Sequence, residues 1–147
     1  MPGRREPDST VPHSFALEVG GVTVTMLTEV SGLATERDVI ELREGGADGG
    51  SVTRKLPGAL KSGEVVLSRG LTGDRAFEQW MDEVSADAGA ARRNAAVIVH
   101  DRQGQPVATF TLVRAWPRRL EYTGLRSGGT EPLTERLVLV HEGFDRV

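Results

Sequence analysis

His141 and Glu142 stand side by side near the C-terminal end of the chain, and a histidine beside a carboxylate is raw material for a metal site or a general base. Adjacent residues on a strand point to opposite faces, so this pair cannot grip one ion. The other two of the three histidines, His13 and His100, are scattered along the chain and read as ordinary strand residues. The glycine cluster EGGADGG (44–50) has the small residues of a phosphate-binding loop. No Gly-Lys-Ser/Thr follows it and the next segment is not a helix, so its amides lack the helix N-terminus that attracts anions. Asp48 is its sole aspartate, too few oxygen ligands for calcium. The segment reads as a flexible interstrand loop, and the chain is expected to hold no metal and no cofactor.

Nucleophilic chemistry finds no better footing. Ser31 in VSGL and Ser68 in LSRG lack the strand-turn-helix elbow and the downstream acid-then-histidine order. Arg114, Arg118, Arg119 and Arg126 surround Trp116 and Tyr122, a mixture that can hold single-stranded nucleic acid. Phe110, Leu112 and Trp116 follow strand parity, however, which makes the tryptophan an anchor for packing or an interface. No sequence-specific nucleic-acid partner is expected, and the chain is not expected to be an enzyme.

The elements that would carry such residues are mostly strands. Phe15, Leu17 and Val19 alternate, and after Gly20-Gly21 so do Val22, Val24 and Met26, which predicts a half-buried hairpin. RDVIELR (37–43) is a third strand-like run, and Glu64–Gly70 a fourth with Val65 and Leu67 on one face. AAVIVHD (95–101), VATFTLVRAW (107–116) and LTERLVLVHE (133–142) return to β structure, with Pro117 predicted to end a strand and Gly128-Gly129 to mark a longer loop. Phe77, Trp80, Met81 and Val84 fall at i, i+3, i+4 and i+7, predicting an amphipathic helix with Thr72 or Asp74 as N-cap. Glu78, Asp82 and Glu83 lie off that apolar stripe as an acidic outer face. Six to eight strands and one helix predict a mainly β fold, an antiparallel β-sandwich or barrel with one flanking α-helix.

Bulk properties set the bounds. A chain of 147 residues suits one domain, burying about 68–70% of the surface its unfolded form exposes. The absence of cysteine excludes disulfides and thiolate metal sites and suits a reducing cytosol. A net charge of −3 gives no default attraction to phosphate. No 18-residue apolar run is present, so no membrane anchor is expected, and the two arginines of the N-terminus have no apolar region after them to make a secretory signal. Residues 1–12, with three prolines, are predicted to form a flexible arm ahead of a domain spanning 13–147.

VSGL (30–33), REGG (43–46), KLPG (55–58), SRGLT (68–72), RRNAAVIVHDRQG (92–104), AWP (115–117) and HEG (141–143) occur in an order that resembles the inner tube protein of contractile injection systems. That group includes the tail tubes of T4-like contractile phages, R-type bacteriocins and extracellular injection systems. The resemblance covers about residues 13–145. It implies a phage tail tube-like barrel, six copies of which form a ring, and rings that stack into a hollow tube driven through a target envelope by sheath contraction. The partners implied are further copies of the chain, a contractile sheath protein, baseplate or hub and tube-terminating proteins, and effector cargo in the lumen. Assembly in the cytoplasm into a tail-like particle, released or membrane-docked, goes with it.

Self-assembly gives the apolar strands a purpose. Runs 37–43 and 64–70 read as too apolar for free edges, a hazard that neighbouring copies would cover. The 44–59 segment, with a turn at KLPG, would order on reaching an adjacent subunit or ring. The predicted inter-subunit residues are therefore Val39, Ile40, Leu42, Arg43, Glu44, Gly45, Gly46, Lys55, Leu56, Pro57 and Gly58. The predicted sheath-facing residues are Glu78, Asp82 and Glu83. Two rival readings are a type VI-like hexameric secretion tube that carries effectors and a stand-alone ligand-binding β-barrel.

Overall fold

The computed structural model describes residues 11–61 and 63–147, so most of the predicted arm, residues 1–10, lies outside the described residues. The strands are β1 (Ser14–Val19), β2 (Val22–Ser31), β3 (Glu36–Gly45), β4 (Ser51–Lys61), β5 (Glu64–Gly70), β6 (Arg93–His100), β7 (Pro106–Thr123), β8 (Thr134–Val140) and β9 (Phe144–Arg146). Between β5 and β6 lie the helix α1 (Ala76–Ala86) and a single further turn, α2 (Ala88–Ala91). All pairings are antiparallel. The order β6, β1, β2, β5, β8, β7 closes on itself because β7 also pairs with β6, making a six-stranded barrel with β9 laid beside β7.

Closure depends on β7 changing partners along its 18 residues. Its first part pairs with β6 and its second, from Trp116, with β8. The switch sits where Arg114 takes a positive φ of 49° and its N–H donates to the Asn94 side chain (3.1 Å) across an irregularity in the ladder. Pro117, expected to end a strand, instead lies inside β7, buried opposite Leu139 at a bulge where a missing N–H costs no ladder bond. A second bulge corrects the alternation read in β2. Met26 adopts φ 63° and turns outward at 72% exposure, while Leu27, paired with Phe15, takes the core position.

Leu17, Val24, Val65, Leu67, Val97, Leu112, Leu137 and Leu139 fill the interior, and α1 adds Phe77 and Trp80 to the same core. Each large side chain buried there contributes about 1.5–3 kcal/mol relative to exposure. Trp80 also donates from Nε1 to the Ala91 carbonyl (2.8 Å), which ties α1 to α2. The interior is thus packed with side chains, unlike the hollow of a ligand-binding barrel.

The largest departure from expectation concerns residues 44–59. Most of that segment is not a loop but the strand β4, which pairs with β3 along ten residues as a ribbon outside the barrel. The turn is confined to 46–50, where Gly49 has φ 84° and Asp48 Oδ1 accepts from the Gly50 amide. KLPG is not a turn: Pro57 faces Val39 within the ribbon. An edge strand tolerates proline, and at Gly58 a Cβ would stand 2.9 Å from the Asp38 carbonyl oxygen. The expectation that 64–70 needs covering also falls, since β5 is paired on both sides by β2 and β8.

The ribbon continues the barrel's own hairpin. Ser31 of β2 faces Val66 of β5 and, five residues along each strand, Glu36 of β3 faces Lys61 of β4. At the joint, Gly32 has φ 89°, and a Cβ would collide with the Glu64 carbonyl oxygen. Gly32→Ala should therefore destabilise the protein by at least about 1–2 kcal/mol, read as a lower urea midpoint.

Candidate functional site: the assembly surfaces

Strand register divides the ribbon into two unlike faces, because directly opposed residues share a side. Val39 with Pro57, Glu41 with Lys55 and Arg43 with Thr53 form a largely charged face. Ile40 with Leu56, Leu42 with Arg54 and Glu44 with Val52 form an apolar face ending in the Glu44–Arg54 ion pair (3.2 Å). The six large aliphatics Val39, Ile40, Leu42, Val52, Leu56 and Leu60 are 40–63% exposed. Near the base, Lys61 pairs with Asp38 (3.1 Å), and the hydrogen bond its ammonium donates to that carboxylate raises the Lys61 pKa.

All eleven residues expected at a subunit interface fall on this one ribbon. Ile40, Leu42, Glu44 and Leu56 lie on its apolar side, Val39, Arg43, Lys55 and Pro57 on its charged side, Gly45 and Gly46 at its tip and Gly58 near its base. Val52, Arg54 and Leu60 lie on the same ribbon and were not among the residues expected. Val52, Arg54 and Leu56 alternate with period two, a signal hidden by reading the segment as a loop.

The helix face is less uniformly acidic than its sequence. Glu78 accepts from Tyr122 Oη (2.7 Å) and from Arg75 Nε (2.9 Å). The tyrosine hydrogen bond, then the arginine, hold its carboxyl below the usual range, while burial and Glu78 push Tyr122 up to about 12. Glu83 pairs with Arg93 of β6. Asp82 is exposed and has no ion-pair partner among the described residues.

A buried arginine fixes this helix to the barrel. Arg69 of β5 donates from Nε to Glu135 of β8 (2.8 Å) and from Nη1 and Nη2 to the side chain and carbonyl of Asp74 (3.0 Å each). Its guanidinium lies 4.4 Å from the Phe77 ring centroid. Burial pushes Arg69 down, but its bonds to Glu135 and Asp74 more than reverse this and leave it raised. Asp74, lowered by the same arginine, accepts from the Ala76 amide (3.0 Å) just before α1. The N-cap expected at Thr72 or Asp74 falls instead on Arg75, with Asp74 one residue ahead of it.

Among the described residues no group of three or more His, Cys, Asp or Glu is placed to hold a metal ion. Three of the four arginines of the basic cluster are paired: Arg114 with Glu142 (3.4 Å), Arg118 with Glu64 (2.9 Å) and Arg119 with Glu121 (2.7 Å). No described helix is long and apolar enough to cross a membrane.

Residues 11–145 match the family described as T4-like virus tail tube protein gp19. The chain belongs to this tail tube family. No curated protein sequence matches it. Among solved structures, a chain of the anti-feeding prophage tube-terminating cap superposes with a TM-score of 0.78 at 20% identity, covering 100% of this tube protein and 95% of that chain. A chain of the PVC extracellular contractile injection system, from its extended sheath-tube complex, gives 0.76 at 20% identity over 90% of this tube protein and 87% of that chain. Hcp1 from Flavobacterium johnsoniae gives 0.56 at 17% identity over 91% and 94%. The barrel with a flanking helix is the fold they share.

His141 of the tube protein lies buried beside the ribbon joint, its Nε2 3.6 Å from where a Cβ on Gly63 would stand. Its Nδ1 accepts from the Gly143 amide (3.0 Å), a bond open to the neutral ring alone. Burial pushes its pKa below the ordinary 6.5. Above pH 6.5 both folded and unfolded forms are neutral, and as pH falls below it the unfolded chain takes up the proton first. Stability is then lost until the native pKa is reached. His141→Asn, which keeps an acceptor and cannot titrate, should show a shallower fall in urea midpoint between pH 7.5 and 5 than the parent.

Proposed function

We propose that the tube protein forms hexameric rings whose ribbons lock each copy to its neighbours, and that the rings stack into the hollow inner tube of a phage tail or contractile injection system. The observation that carries this is the ribbon. A two-stranded hairpin is marginal alone in water, and this one projects ten residues with an uncovered apolar side. A neighbouring copy supplies the missing cover. The contact is heterologous, ribbon to a different surface, so it closes a ring or propagates along an axis.

A sheath, a baseplate or hub and a tube terminator are the partners of such a tube, assembled in the cytoplasm into a tail-like particle whose lumen takes effector cargo. The tube's role is structural and needs no catalysis. The sheath contact falls on the exposed side of α1. Because Glu78 and Glu83 are engaged within the subunit, Asp82 carries the charge free to meet a basic sheath residue.

Electron microscopy of the purified protein tests the assembly directly, with rings or tubes expected and dispersed monomers counting against it. Ile40→Lys with Leu56→Glu, an opposite-charge pair across the ribbon, should abolish rings and tubes while moving monomer stability by no more than about 0.5 kcal/mol, since both positions are exposed in the single copy. Asp82→Lys should leave tubes normal and reduce sheath co-sedimentation severalfold at low salt; undiminished sheathing would move the contact elsewhere.

A further inference from the structure

A second unoccupied apolar feature lies on the opposite kind of surface. Between α1 and the β1–β2 hairpin runs a crevice of about 70 Å³, floored by Leu17, Val19 and Val24 and walled by Phe77 and Trp80. Val22 stands at its rim, 55% exposed although it begins a strand. Across the rim Glu83 pairs with Arg93. In the single copy no described residue of β3 or β4 lines it.

We infer that this crevice is the receptor for the apolar face of the ribbon from a second copy. The inference rests on the ribbon's role in assembly and adds the surface that receives it. Its volume admits a single branched side chain, and the ribbon offers two adjacent candidates, Ile40 and Leu56, directly opposed on the same side. One fills the crevice while the other lies over Val22. At a strand rise of about 3.3 Å per residue, the ten residues of β3 span about 30 Å, enough to pass beyond the parent barrel. Charge complements shape. Next to its aliphatics the ribbon bears Glu44 and Arg54, and next to its hydrophobic floor the crevice bears Arg93 and Glu83. Arg54 against Glu83, with Glu44 against Arg93, turns two partly exposed pairs into one four-charge cluster at the edge of a dry contact. Every copy carries both donor and receptor, so the contact repeats head to tail.

The chain has no cysteine, so introduced pairs report without background. Val22→Cys and Ile40→Cys chains, mixed, assembled and oxidised, should give disulfide-linked dimers on non-reducing gels, and a Val22→Cys/Ile40→Cys chain should give a ladder. Val113→Cys with Ile40→Cys, placed on another exposed part of the barrel, should remain unlinked. A charge exchange gives an independent reading that does not depend on cysteine placement. Arg54→Glu and Glu83→Arg should each lower the tube yield at least tenfold, and the two in one chain should restore it. If the parent forms tubes but Val22 and Ile40 do not cross-link and the double exchange fails to restore yield, the crevice is not the receptor, while the tube assignment stands. If the parent forms neither rings nor tubes, both fall together.

Discussion

A ribbon of two strands cannot keep water off both of its faces, and that constraint organises the rest of this molecule. The barrel beneath it is finished: its strands close through β7 and its interior is full. The ribbon is not. Ten residues of ladder project from a joint where the parent hairpin keeps its register, so direction and facing are inherited from the barrel. Gly32 makes that inheritance possible by letting two backbones approach where no side chain fits.

The second fixed point is Arg69. Burying a guanidinium costs several kcal/mol unless it is fully engaged. Here two carboxylates, a carbonyl and the Phe77 ring meet it, drawn from β8, the segment before α1 and α1 itself. Its contribution is orientation more than net stability. It sets how α1 lies, and hence where the crevice wall and Asp82 are presented.

Period-two patterns in the first strands and the last three, and the 3.6-residue spacing of Phe77 and Trp80, were legible because each reports a neighbour only a few residues away. The single-residue insertions were not. A bulge at Met26 moves the core position to Leu27, and the sequence there alternates smoothly with no sign of it. Proline and glycine misled at Pro57 and Pro117, since a bulge or an outer edge accepts residues that a regular central strand rejects. The residues expected at an interface share one element for a reason the reading did not contain: they belong to a paired ribbon, not a flexible loop. The acidic helix face looked uniform because Tyr122 and Arg93, which engage Glu78 and Glu83, are distant in sequence and close only after folding.

The partner exchange along β7 has a mechanical meaning. A strand at a sheet margin can peel away bond by bond when pulled, whereas one held on both flanks yields only if many bonds shear at once. By passing from β6 to β8 within one unbroken backbone, β7 leaves the barrel no such loose end. Thrust applied along a stack of these subunits is carried through closed hoops of backbone, so the weakest links are the seams between copies and the body of each copy travels intact.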